Sequence, residues 1–205
     1  MNTADEIRML LVGPSASGKT TCLKNILHNH FRGVFNHIYV IAPTIKQPIW
    51  ASVELQKKDR KSDEATNDQF MRYIEEIKKH GEKGERSLLI LDDVGNTQLT
   101  RMYSALCCEI LRLRHYKCSI VICAQNYKLV PPFVRTNCNK FVFFHNANLD
   151  EQRKMRQELG NTFYTRYQQF TAEPYKFIFV DYDKNEMDAN NRYTNRIQFS
   201  NEFYQ

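Results

Sequence analysis

The chain is poor in the residues that punctuate or staple a fold. Seven glycines and six prolines among 205 residues are too few for a collagen, a flexible linker or a low-complexity protein. No stretch approaches the run of about 18 apolar residues that reads as a membrane-crossing helix. The six cysteines, at 22, 107, 108, 118, 123 and 138, include no C-x-x-C pair, which argues against a zinc ribbon and against a small disulfide scaffold. Reduced thiols in a cytosolic setting are the expectation. The opening MNTADEIRMLLVG sets acidic residues before a short apolar run, the reverse of a secretory leader. What is present is ordinary for a globular chain: 42% hydrophobic and 25% charged residues. Such a chain builds one sizeable core, read here as one domain over 1–205, with its core at 7–145 and a C-terminal helix and hairpin at 149–205. The net charge of +6 allows a polyanionic partner without requiring one.

Five short, nearly continuous apolar runs recur: Ile7 to Val12, His37 to Ala42, Ser87 to Leu91, Cys118 to Ala124 and Lys140 to Phe144. Runs of this length and β-branched content are expected of strands buried on both faces. Between them lie helical patterns. Residues 67–80 put Phe70, Tyr73, Ile74 and Ile77 on one stripe, with Gly81 as the stop. Residues 97–114 put Leu99, Met102, Tyr103, Leu106, Ile110 and Leu113 on another. Strand alternating with helix predicts an α/β fold with a mainly parallel sheet between helical layers. Residues 54–66 read as a mobile polar loop. Beyond Phe144, a charged helix ends at Gly160, and Tyr175 to Asp181 with Arg192 to Phe199 reads as a hairpin. Either Cys107 or Cys108 is expected to be buried. Trp50 is expected to pack on the core, with a place beside a nucleobase as the alternative.

Residues 13–20, GPSASGKT, fit the phosphate-binding loop G-x-x-x-x-G-K-[ST]. The context agrees, because a strand leads in and a helix from Lys19 to about Asn29 leads out. Gly13 and Gly18 permit backbone angles that a side chain forbids. The loop of Gly13, Pro14, Ser15, Ala16, Ser17 and Gly18, through the N–H groups of all but the proline, would with Lys19, Thr20 and Thr21 then surround a phosphate at the positive end of the helix. Lys19 would reach the β- and γ-phosphates of ATP, and Thr20 would ligate Mg²⁺. The run SLLILDDV delivers Asp92 and Asp93 to the end of a buried strand, where ligands sit in open α/β sheets. Asp92 would hold Mg²⁺ through water, and Asp93 would act as general base; the competing role is a simple helix cap. Gln125 ends the strand CSIVICA. If that strand inserts beside the first, Gln125 would sense the γ-phosphate or orient water; otherwise it caps a turn.

Together GPSASGKT, LLILDD, RHYKCSIVICAQ and LVPPFVRTN resemble the genome-packaging ATPases of the FtsK/HerA superfamily, in the poxvirus-type branch found in large DNA viruses, virophages and related elements. The likeness runs from about Ile7 to Phe144, and more loosely to the C-terminus. It implies a three-layer P-loop fold with the five strands in the order 5-1-4-3-2. It implies ATP-driven movement of double-stranded DNA, without regard to sequence, into a preformed capsid by a homo-oligomeric ring of five or six subunits. It also implies partners in the capsid or membrane at the packaging vertex, and work in the host cytoplasm or the virion. Asp92-Asp93 stands where many members of the superfamily have Asp-Glu, so the shorter Asp93 departs from the pattern. A ring motor needs an arginine from a neighbour at the γ-phosphate; Arg114 is the first candidate, then Arg135, then Arg101. For DNA, the basic groups are Lys57, Lys58, Arg60 and Lys61, and Arg153, Lys154 and Arg156, although each set has acidic neighbours. Two alternatives stay open: a small nucleotide or nucleoside kinase, and an ATP-switched assembly protein that is no motor.

Overall fold

The computed structural model describes residues 6–51, 53, 59–184 and 189–197. The five apolar runs form the strands β1 (Arg8–Val12), β2 (His37–Ile41), β4 (Ser87–Asp92), β5 (Cys118–Ala124) and β6 (Lys140–Phe144), joined by β3 (Arg60–Ser62), β7 (Phe177–Asp181) and β8 (Tyr193–Thr194). They make one sheet in the order β3-β2-β4-β5-β1-β6-β7-β8. All pairings from β3 to β6 are parallel, and β7 and β8 are antiparallel. The five central strands therefore take the expected order, with the strand that leads to Gln125 between those that lead to Lys19 and Asp92.

Alternation along each strand feeds two cores, one on each face of the sheet. Leu10 and Val12 of β1, Leu89 and Leu91 of β4, and Ile120 and Ile122 of β5 belong to one. Met9, Leu11, Leu88, Ile90, Val121 and Cys123 belong to the other. On the first face lie α3 (Asn67–Glu82), α4 (Ala105–Glu109), α5 (Pro132–Thr136) and α6 (Leu149–Phe170). On the second lie α1 (Lys19–Asn29) and α2 (Pro48–Ala51), the latter with Trp50 buried in the core. A turn of helix, α7 (Ala189–Arg192), leads into β8.

Several local expectations are corrected. Gly81 does not stop α3, which runs to Glu82; a Cβ there would lie 2.6 Å from the Tyr116 carbonyl oxygen, so that glycine permits a close backbone approach. The positive φ that turns the chain belongs to Gly84. Residues 97–114 are not one helix. Thr97 caps a 3-10 turn at Gln98–Thr100, Ser104 caps α4, and Tyr103 between them has φ 63°. Capping hydroxyls inside an apolar repeat break it, leaving Met102 and Tyr103 71% and 88% exposed. Neither Cys107 nor Cys108 is buried. The polar stretch 54–66 contains the edge strand β3, while Lys57 and Lys58 lie outside the described residues. In α6, Gly160 breaks the helix at φ 88°, ψ 173°, as expected, but a second helical segment follows it to Phe170. The hairpin is present as β7 and a two-residue β8; residues 198–205 are outside the described residues.

Candidate active site

The cleft is built at the C-terminal edge of the sheet. After Val12 the chain turns sharply, and Gly13 donates from its N–H to the Ala124 carbonyl at 3.2 Å. A Cβ on Gly13 would lie 2.6 Å from Ser17 Oγ and 2.7 Å from Phe144 Cβ, so only glycine fits. The loop closes through left-handed residues at Ala16 (φ 60°) and Gly18 (φ 98°), and α1 begins at Lys19. The first N–H groups of α1 thus face the cleft without a side-chain cap, as an anion site requires.

Lys19 is buried, and its Nζ donates to the carbonyls of Gly13 (2.7 Å) and Pro14 (2.8 Å). Burial lowers its pKa, against the opposing pull of Cys123, Asp92 and Asp93. Asp92 is 1% exposed at the end of β4. Thr20 Oγ1 donates to its Oδ2 at 3.3 Å, while Oδ1 has no partner of ordinary geometry among the described residues. Burial pushes the Asp92 carboxyl up; the weak Cys123 donor and the Thr20 hydroxyl offset this in part, Asp93 adds to it and Lys19 opposes it. A hydroxyl beside a buried, half-satisfied carboxylate is a donor set of hard oxygens, which fits Mg²⁺ with water completing its shell. Next in sequence, Asp93 has φ 55°, a left-handed conformation that disfavours a side chain. Its Oδ1 accepts from Gln125 Nε2 at 2.7 Å. The structure therefore brings the loop, Lys19, Thr20, Asp93 and Gln125 together around one cleft of about 870 Å³, with Asp92 buried directly behind Thr20.

Arg114 is exposed in a 3-10 turn before β5, at the opposite edge of the sheet from the cleft, so it does not join the residues gathered there. Arg101 is exposed on the loop leaving β4. Arg135 is removed from the candidates. It is 3% exposed, pairs with Glu158 through Nε (3.0 Å) and Nη2 (2.6 Å), donates to the Tyr127 and Val130 carbonyls, and covers the Tyr127 ring. With Glu151, which accepts from the N–H of Tyr127 at 2.7 Å and of Lys128 at 3.3 Å, it fastens the loop after Gln125 to α6. The basic residues of α6 are likewise engaged. Arg153 pairs with Asp150, Lys154 with Glu158, and Arg156 donates to Asn161. Arg60 faces Glu76 at 3.5 Å.

Sequence reasoning missed the other wall of the cleft. Tyr175, Phe177, Ile197 and Phe144 line it, and a Cβ on Gly18 would sit 3.7 Å from the Tyr175 ring. Tyr175 is 73% exposed with φ 62°. Phe144 ends β6, and Tyr175 and Phe177 reach the loop because β7 returns antiparallel to β6. The aromatic residues that end β6 and open β7, FFHN and EPYKF, were the available signal.

Comparison with known proteins follows this geometry. A family profile described as "Poxvirus A32 protein" matches residues 2–159. The DNA packaging protein OPG160 of Variola virus is 28% identical over 158 residues, covering 73% of this chain and 57% of that protein; its counterpart in Vaccinia virus strain Western Reserve matches to the same extent. This chain thus spans little more than half the length of those relatives. Among solved structures, B204, the DNA-packaging ATPase from Sulfolobus Turreted Icosahedral Virus, has a TM-score of 0.72 at 16% identity, over 97% of this chain and 100% of that one. B204 of Sulfolobus turreted icosahedral virus 2 in complex with ATP-gammaS has a TM-score of 0.68 at 17% identity, over 97% and 100%. At these identities the likeness carries the fold.

Proposed function

The chain belongs to the Poxvirus A32 protein family, and on that premise we propose that it is an ATP-hydrolysing motor that moves double-stranded DNA into a preformed capsid. The observation that carries the reading is the meeting of Lys19, Thr20, Asp92, Asp93 and Gln125 on one sheet edge. A loop that only capped a helix would not need a buried lysine opposite two carboxylates. The names of the relatives, DNA packaging protein and DNA-packaging ATPase, support the direction of the work.

The chemistry follows from the geometry. A triphosphate entering the loop competes with the Gly13 and Pro14 carbonyls for the Lys19 ammonium and meets the N–H groups at the start of α1. Thr20 and Asp92 would hold Mg²⁺, which supplies charge neutralisation at the β- and γ-phosphates. Asp93 would take a proton from the attacking water as that water's oxygen bonds to the γ-phosphorus and the bond to the β-phosphate oxygen breaks. In the resting geometry Gln125 occupies Asp93 Oδ1; its transfer toward the γ-phosphate would free that oxygen for water. Arg114 of a neighbouring subunit would complete the charge on the phosphoryl group, which makes a ring of five or six copies part of this reading. The Tyr175 and Phe177 wall offers the base an apolar surface. The same reading puts the work in the host cytoplasm and at the packaging vertex, with the capsid or membrane components there as partners.

The test is ATP turnover with and without double-stranded DNA, alongside particle mass with a non-hydrolysable ATP analogue. Stimulation by DNA of any sequence, together with a closed oligomer, is the expected result. Phosphoryl transfer to a nucleoside monophosphate, or turnover indifferent to DNA in a monomer, would overturn the proposal in favour of a kinase or an assembly switch.

A further inference from the structure

The edge of the sheet opposite the nucleotide cleft carries a second group of chemically competent side chains. His37 opens β2, His80 lies in the last turn of α3, and Glu85 lies in the turn between α3 and β4. Strands of about five residues put roughly 15 Å between the two edges. We propose that His37, His80 and Glu85 form a binding site for one divalent transition-metal ion of the zinc class.

Each ring sets one nitrogen beside the same carboxylate oxygen. His37 Nε2 lies 3.0 Å from Glu85 Oε2, and His80 Nδ1 lies 2.6 Å from the same oxygen. The three candidate ligand atoms all lie within 4.8 Å of one another. The rings stack with centroids 3.6 Å apart and planes 28° from parallel, which sets the two nitrogens side by side. Zinc bonds to imidazole nitrogen at about 2.0–2.1 Å and to carboxylate oxygen at about 2.0–2.2 Å. The space beside the two nitrogens becomes a metal position once the Glu85 carboxylate withdraws along its flexible stem and the two rings tilt apart, so that their in-plane lone pairs meet at the ion. Each ring then carries its proton on its other nitrogen. Side-chain exposure grades from 14% for His37 and 23% for His80 to 37% for Glu85, which leaves solvent on the carboxylate side to supply the fourth ligand as water.

The backbone holds this arrangement before any ion arrives. Glu85 N–H donates to the His80 carbonyl at 3.0 Å, which ties two of the ligands together. Asn36 and His37 both donate to the Arg86 carbonyl, at 2.8 and 3.3 Å, and Arg86 N–H returns a bond to Asn36 Oδ1 at 2.8 Å. These bonds fix the main chain of the three ligands, so that only side-chain movement is needed to complete the site. Two imidazoles with one carboxylate favour zinc, cobalt or nickel over the hard cations that prefer all-oxygen shells. The ion would pin the end of α3 to the starts of β2 and β4, stabilising the fold by mass action. The inference does not depend on the ATPase reading.

Cobalt is the probe, because its visible spectrum reports both geometry and ligand type. The full chain carries Cys107→Ser and Cys108→Ser to remove the thiols that are not buried, and millimolar Mg²⁺ occupies the oxygen ligands of the cleft. We expect one equivalent of Co²⁺ to bind with four-coordinate d–d absorption and no thiolate charge-transfer band. Zn²⁺ should displace it, and His37→Gln and His80→Gln should each weaken it at least about tenfold. A chain that takes up neither Co²⁺ nor Zn²⁺, or uptake that both glutamine variants leave unchanged, would overturn the site and leave the trio a hydrogen-bonded brace. Absence of uptake by the chain with both histidines intact overturns the site even if a variant folds poorly.

Discussion

Two carboxylates, one at each edge of the sheet, have opposite circumstances. Asp92, at the C-terminal edge, is buried with one oxygen unmatched among the described residues, and its pKa is raised by that burial. Glu85, at the N-terminal edge, accepts from two imidazoles, and its pKa is lowered, first by His80 and then by His37. The first charge is costly until a cation reaches it; the second is already accommodated. The same contrast appears in two glycines. Gly13 and Gly81 each let another part of the chain approach to about the same distance, 2.6 Å from an imagined Cβ. Behind Gly13 stands a phosphate loop, and behind Gly81 only the backbone of Tyr116. Structural need alone does not mark a site; a structural need beside an uncompensated charge does.

The sharpest way to break this contrast is to remove the cleft's chemistry while sparing the other edge. Lys19→Ala should lower ATP turnover by a factor on the order of 10² to 10³, with the unfolding midpoint in urea nearly unchanged. Asp93→Asn should keep nucleotide binding and lose on the order of 10² to 10⁴ in the chemical step, measured as single-turnover hydrolysis beside equilibrium binding of a fluorescent analogue. Normal turnover in that variant would remove Asp93 as the base.

The two glycines come next. Gly13→Ala and Gly81→Ala should each destabilise by about 1–3 kcal/mol, the usual range for overpacking. Only the first should also weaken nucleotide binding. Equal loss of nucleotide affinity in both would show that the distinction between the edges is wrong.

Smaller effects separate the two carboxylates. Asp92 holds its proton more tightly in the folded chain than in the unfolded one. Folding stability therefore falls as pH rises above the ordinary aspartate range through its raised folded value, and the cost persists at neutral pH. Asp92→Asn should then be more stable than the parent at neutral pH and lose that advantage in acid. Glu85 has the opposite sign: its stabilising contribution is present above the ordinary glutamate range and fades as pH falls through its lowered folded value. Glu85→Gln should thus be less stable at neutral pH and converge with the parent in acid. Denaturant melts across a pH series read both variants. Smallest of all, Ala16→Gly should gain up to about 1 kcal/mol by relieving a left-handed alanine, read in the same melts.

Most of this contrast was open to inspection in the bare sequence at one edge and hidden at the other. The phosphate loop is eight consecutive residues, and Asp92-Asp93 end a continuous apolar run, so both were readable locally. The five central strands were readable because burial on both faces leaves unbroken apolar runs. The helix expected over 97–114 failed because its apolar period continues across Thr97 and Ser104, whose hydroxyls restart the helix instead. The aromatic wall at Tyr175 and the trio at 37, 80 and 85 depend on which strands lie side by side. No local pattern carries that information, and Arg135 looked available until α6 was seen to cover it.

The clamp on the loop after Gln125 has a mechanical consequence. Glu151 and Glu158, seven residues apart on the first arm of α6, grip that loop through the Tyr127 and Lys128 amides and through Arg135. On the proposed function, a strand tip that exchanged Asp93 for a phosphate would pull on this arm, which ends at the Gly160 joint. The stroke of such an engine would then be delivered by a lever and its elbow rather than by the jaws around the fuel.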